Sequence, residues 1–185
     1  MRPLSEAAGQ ELQWQGKEEF ELRAGDEVYA ILRAQERGAD WTIGEAADGR
    51  WALRSEHIGS GEILVITEQD AHAQIAIVKH GRKHGLFARD DDYIEFADGH
   101  MVAWHKTSVW RDDEWDWVDR EERPLIHFQR EHHVVIEPNA RSLPDLSLLV
   151  VAGGQLIQLH EAARKKAAVL AGVATATASH VVVNH

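Results

Sequence analysis

Residues 142–170, SLPDLSLLVVAGGQLIQLHEAARKKAAVL, decide how the rest of this 185-residue chain is read. The first half of the segment is apolar in every direction. On a helix, Leu146, Leu148, Leu149, Val150, Val151, Ala152, Leu156, Ile157 and Leu159 spread around the whole circumference, which predicts a helix buried on all sides. Ser142, with Asp145 three residues on, resembles a capping box, and Pro144 suits a first turn, where its missing N–H costs nothing. The apolar run over 146–159 is shorter than the about 20 residues that a bilayer asks for. It is interrupted by Ser147, Gly153, Gly154, Gln155 and Gln158, and it passes into Glu161, Arg164, Lys165 and Lys166. No transmembrane segment is expected from it. A helix of about sixteen residues is roughly 24 Å long, the reach of a seven-residue strand, so it would fit through a barrel of such strands. The small pair Gly153-Gly154 would let a strand wall approach closely.

Upstream, the chain is written in short strands. Residues 1–16 read as a loose lead-in, with Leu12 and Trp14 beginning a first strand. Phe20 and Leu22 then alternate with Glu19, Glu21 and Arg23, and Gly25-Asp26 turns the chain into Val28, Tyr29, Ile31 and Leu32. Asp48-Gly49 turns residues 41–43 into 50–54, since Asp-Gly supplies the positive φ of a tight hairpin. Further strands are expected at 62–67, 74–79, 85–89, 93–96, 101–107, 115–118, 125–129 and 134–137. About a dozen strands with one late helix predict an antiparallel, mainly β barrel closed around the helix. The missing interstrand helices exclude a parallel α/β fold. One domain is expected over 1–170, with 171–185 as a tail outside the barrel.

The Asp-Gly hairpins, the strand DGHMVA at 98–103 and the acidic-capped helix PDLSLLVVAGGQLIQL together resemble the tubby C-terminal-like superfamily, and within it the LURP-one-related and phospholipid-scramblase-like branch. The resemblance covers roughly residues 20–160. It implies a twelve-stranded barrel around a hydrophobic helix, and a membrane-tethering, phosphoinositide-binding or regulatory module. The chain departs from the phosphoinositide binders in its acidic balance, and from scramblases in lacking a second anchor or a palmitoylatable cysteine.

Hydrophobic content of 44% with 28% charged residues is that of a globular domain. The formal charge of -11 argues against nucleic acid as a partner. The absence of cysteine excludes disulfides and thiolate chemistry, and the N-terminus carries no apolar signal region, so a cytoplasmic location is expected. No GxSxG, GxGxxG, Walker or HExxH pattern occurs, so neither a catalytic residue nor a cofactor is nominated and an enzyme is not expected. The 12 histidines show no metal-ligand spacing, and His132-His133 on a strand would face opposite ways. Asp90-Asp91-Asp92 and Asp112-Asp113-Glu114 read as solvated turns, and Trp115 and Trp117 as one packed strand face. The concentrated basic spot is 79–84, where Lys79, Arg82 and Lys83 are the candidate ligand-binding residues for a phosphate or lipid head group, weakly held.

The leading expectation is a non-enzymatic barrel module that binds an anionic ligand, a protein partner or a second copy of itself. Two other readings compete. A lipocalin-like carrier of small apolar molecules would need an open lumen and an amphipathic outer helix. A hydrolase would need a strand-borne carboxylate pair.

Overall fold

The structure, a computed structural model, describes residues 1–17, 19–34, 41–58, 61–79, 92–108 and 111–180. Alternating side chains make the strands β1 (Glu11–Gln15), β2 (Glu19–Ala24), β3 (Glu27–Ala34), β4 (Trp41–Ala46), β5 (Gly49–Ile58) and β6 (Gly61–Glu68). They continue as β7 (Ala73–Lys79), β8 (Asp92–Phe96), β9 (Met101–Ser108), β10 (Arg111–Val118), β11 (Pro124–Phe128) and β12 (His133–Ile136), followed by the helix α1 (Leu146–His180). The strand expected at 85–89 lies outside the described residues.

Each strand pairs antiparallel with its sequence neighbours, and β1 closes the barrel by pairing with β12 through Leu12 opposite Val134. Inward positions form the wall of the core, among them Leu22, Leu32, Leu53, Ile66, Val78, Ile94, Trp104, Trp117, Phe128 and Ile136, each 2% exposed or less. On the outer face a ladder of ion pairs crosses four strands, from Glu19 to Arg33 (2.7 Å), Arg33 to Glu45 (3.2 Å) and Glu45 to Arg50 (3.0 Å).

The lumen is filled by α1. Val150, Val151 and Ala152 have no exposed surface, and Leu146, Leu148, Leu149 and Leu156 are buried with them. Close packing requires glycine on both sides of the contact. A Cβ at Gly44 on β4 would lie 2.1 Å from Val151 Cγ1, and one at Gly153 would lie 2.2 Å from the Phe128 ring. From the wall, the Trp117 Nε1–H donates to the Leu149 carbonyl at 2.7 Å, so the indole's polar edge is satisfied inside an apolar core. The stretch Leu146–Val169 is long and apolar enough to cross a membrane by length and composition alone, but 61% of its most apolar window is buried inside the barrel.

Three local expectations are corrected. The capping box does not form: Ser142 ends a 3-10 turn (Pro138–Ser142), and the first i to i+4 bond of α1 runs from Leu149 N–H to the Asp145 carbonyl at 2.9 Å. Leu143 precedes Pro144, whose ring disfavours helical backbone there, and Leu143 is extended at φ -68, ψ 129. Nor do residues 1–9 form a loose lead-in. A 3-10 turn (Leu4–Ala7) buries Leu4 and Ala7, packs beside Ala140, and is tied down by Gly9 N–H to the Ile136 carbonyl at 2.8 Å. Finally, α1 does not end at Leu170 but runs 35 residues to His180, because the alanine-rich stretch favours helix and contains no proline to stop it.

Consecutive antiparallel pairing sorts the connections between two mouths. At the inlet, where α1 begins, lie the turns after β2, β4, β6, β8 and β10. At the outlet, where α1 emerges, lie the opposite strand ends and, among the described residues, the β11–β12 connection.

Candidate binding surfaces at the two barrel mouths

Of the predicted basic spot, Lys79 alone is among the described residues, at the outlet end of β7. Its ammonium is hydrogen-bonded to the Glu95 carboxylate on β8, which pushes the lysine pKa up and pairs its charge. Lys79 is therefore paired within the barrel wall. Arg82 and Lys83 lie outside the described residues, in the connection between β7 and β8.

Topology brings other cations to the same mouth. Arg130 follows β11, and Arg164, Lys165 and Lys166 ride on α1 as it leaves the barrel, where Lys165 faces Glu161 at 3.7 Å. Arg130 and Arg164 border a polar hollow of about 100 Å³, together with Trp115, His132, His160 and Glu161. His160 stacks on Trp115 with ring centroids 4.7 Å apart, and Trp115 stacks on the buried Trp104 at 5.5 Å. The tryptophan pair of β10 is thus core and core margin, as its alternation predicts. On the other side of His160, Ser55, Ile63, Leu64, Val78, Leu156, Leu159 and Ala163 line a mostly apolar, open slot of about 140 Å³.

The inlet has the opposite character. Asp48, Glu68, Asp98 and Asp145 line a cup of about 390 Å³ floored by Trp51, Phe96 and Leu148. His100 stacks on Phe96 at 3.9 Å, its Nδ1 lies 2.6 Å from Asp98 Oδ1, and its Nε2 lies 3.4 Å from Asp145 Oδ2. The backbone N–H of His100 and then its ring hold the Asp98 carboxyl below its usual pKa. Burial pushes Asp145 above its usual value, with Asp98 adding to the rise and His100 opposing it.

The two signs give a testable pH dependence. An aspartate with a raised folded pKa costs stability when ionised, and that cost disappears as pH falls through the raised value to below the ordinary 3.8. Asp145→Asn keeps a residue suited to a helix start and removes the buried charge. It is expected to raise Tm by a few degrees at pH 7, with the gain vanishing at pH 3. A gain that is the same at both pH values would contradict this assignment.

Among the described residues, no three histidine or carboxylate side chains are grouped as metal ligands. His127 sits between Asp116 (2.8 Å) and Glu137 (2.9 Å) on the barrel's outer wall, and His133 lies 2.7 Å from Glu11. Comparisons with models of protein families, with curated proteins and with solved structures find no match for this chain. Function is therefore argued from the two mouths alone. Arg130, His160 and Arg164 escaped sequence reading because neither spacing nor motif relates residues brought together only by barrel closure. The His100 cup escaped it for the same reason.

Proposed function

We propose that the chain is a non-enzymatic β-barrel binding module of the tubby-like kind, which recognises an anionic, phosphorylated ligand at the outlet mouth. The observation that supports this is the group of cations that the emerging helix and the β11–β12 connection bring to the outlet. Among the described residues, Arg130 and Arg164 line the outlet hollow and Lys165 and Lys166 follow on the same helix, whereas Asp48, Glu68, Asp98 and Asp145 line the inlet cup. A local field of that sign attracts phosphate even on an acidic protein, and salt screens it within about 10 Å at 0.1 M. The filled lumen counts against the carrier reading, since α1 occupies the space that cargo would need.

The test is co-sedimentation with phosphatidylcholine vesicles containing a phosphoinositide, at low and at physiological salt. The native chain is expected to sediment at low salt and largely to lose binding at physiological salt. Arg82→Glu with Lys83→Glu, and separately Arg164→Glu with Lys165→Glu, should each abolish binding. No sedimentation at low salt, or undiminished sedimentation of both variants, would overturn the proposal and favour a protein partner.

A further inference from the structure

We infer that the outlet mouth holds a two-part site for a soluble amphiphile: a single anionic head, carboxylate or phosphate, on a short apolar tail. The head half deepens the anion-binding reading and rests on it; the tail half stands on the apolar slot. That slot, open to solvent and lined mainly by Leu64, Val78, Leu156, Leu159 and Ala163, has about 140 Å³, close to the roughly 150 Å³ that accepts a benzene-sized guest. A tail of about six carbons is therefore the scale it takes.

His160 joins the two halves, because it borders both the slot and the polar hollow. Its stack on Trp115 fixes the ring there. In the hollow, Arg130 and Arg164 bring planar guanidinium forks, which match the paired oxygens of a carboxylate or phosphate. Glu131 and Glu161 also border the hollow, and Glu161 lies 3.7 Å from the Lys165 ammonium, which offsets its charge.

The backbone at this point carries strain. Glu131 and His132 are adjacent non-glycine residues at φ 57 and 67, a conformation that persists only where surrounding contacts hold it. Here Gln13 Nε2 donates to the Glu131 carbonyl at 3.1 Å, and the Phe20 ring meets His132 edge-on at 6.5 Å. The strained pair lies in the β11–β12 connection directly after Arg130, and Arg130 and Arg164 both line the hollow.

Calorimetric titration of the full chain at low salt with hexyl phosphate, heptanoate, inorganic phosphate and hexanol separates the halves. Hexyl phosphate or heptanoate is expected to bind on the order of tenfold tighter than inorganic phosphate and than hexanol. Ala163→Phe, placed on an exposed helix position that borders the slot, should reduce hexyl phosphate to the level of inorganic phosphate. It should leave the thermal melt unchanged. Arg130→Gln with Arg164→Gln should remove binding of both phosphates.

Equal affinity for hexyl phosphate and inorganic phosphate, or insensitivity to Ala163→Phe, would overturn the amphiphile site while leaving the anion reading intact. Hexanol binding as tightly as hexyl phosphate would overturn the charged half. Vesicle sedimentation without binding of any soluble probe would place the anion site elsewhere and overturn this one. Failure of both experiments would remove the two readings together.

Discussion

Val150→Asp is expected to leave no folded protein. Val150 has no exposed surface, and its helix runs through a lumen whose walls are Leu, Ile, Val, Trp and Phe side chains. A carboxylate placed there has no cation to pair with and no water to solvate it, so it either stays charged at a cost of several kcal/mol or is held protonated against its ordinary pKa. A domain's whole stability is about 5 to 15 kcal/mol, and single changes rarely remove more than about 4 to 5 unless a buried charge is left unpaired. The measurement is the soluble yield and the cooperative thermal melt of Val150→Asp beside Val150→Ala. The alanine variant should fold with a lowered Tm, because it leaves only a small cavity. A soluble Val150→Asp protein that melts cooperatively would contradict the helix-filled lumen.

That result bears on why so much of the fold is legible from one segment. A run such as Leu148, Leu149, Val150, Val151, Ala152 has no polar face, and burial on every side is the physical outcome for a helix too short for a bilayer. The Asp-Gly turn at Asp48-Gly49 locates its hairpin because it relies on local backbone geometry. What stays illegible depends on tertiary context. Leu4 and Ala7 lie in a polar-looking lead-in, and only the barrel's open inlet gives their small apolar face something to cover. The helix start moves from Ser142 to Asp145 because Pro144 acts on the residue before it, a constraint that outweighs the capping pattern. Lys79 looks like a free cation in the sequence because Glu95, its partner on β8, is invisible until the register pairs Ile77 with Glu95 and Lys79 with Tyr93. The two mouth sites share this dependence, since His160 and Trp115, or His100 and Asp145, meet only through the closed barrel.

The contact between helix and wall should appear as a coupling between Gly44 and Val151. Gly44→Ala would set a methyl 2.1 Å from Val151 Cγ1 and 3.1 Å from Leu53 Cδ1, and neither side chain has room to withdraw, Val151 being 0% and Leu53 1% exposed. Overpacking of that kind costs about 1 to 3 kcal/mol. Val151→Ala removes two buried methyls and leaves a small void, a loss of roughly 2 kcal/mol. In the double variant the Gly44 methyl enters the space that the valine methyls vacate, and the remaining Val151 Cβ, at 3.4 Å, is an ordinary neighbour. The double variant should therefore be more stable than the sum of the two losses implies, by about 1 kcal/mol or more, within the range seen for residues in direct contact. Urea melts with equal m-values give the four stabilities of the cycle, and in a chain of this size each kcal/mol corresponds to about 2 to 4 °C in Tm. Losses that add to within about 0.3 to 0.5 kcal/mol would mean that Val151 does not face β4, and that the helix sits in the barrel with a different rotation about its axis.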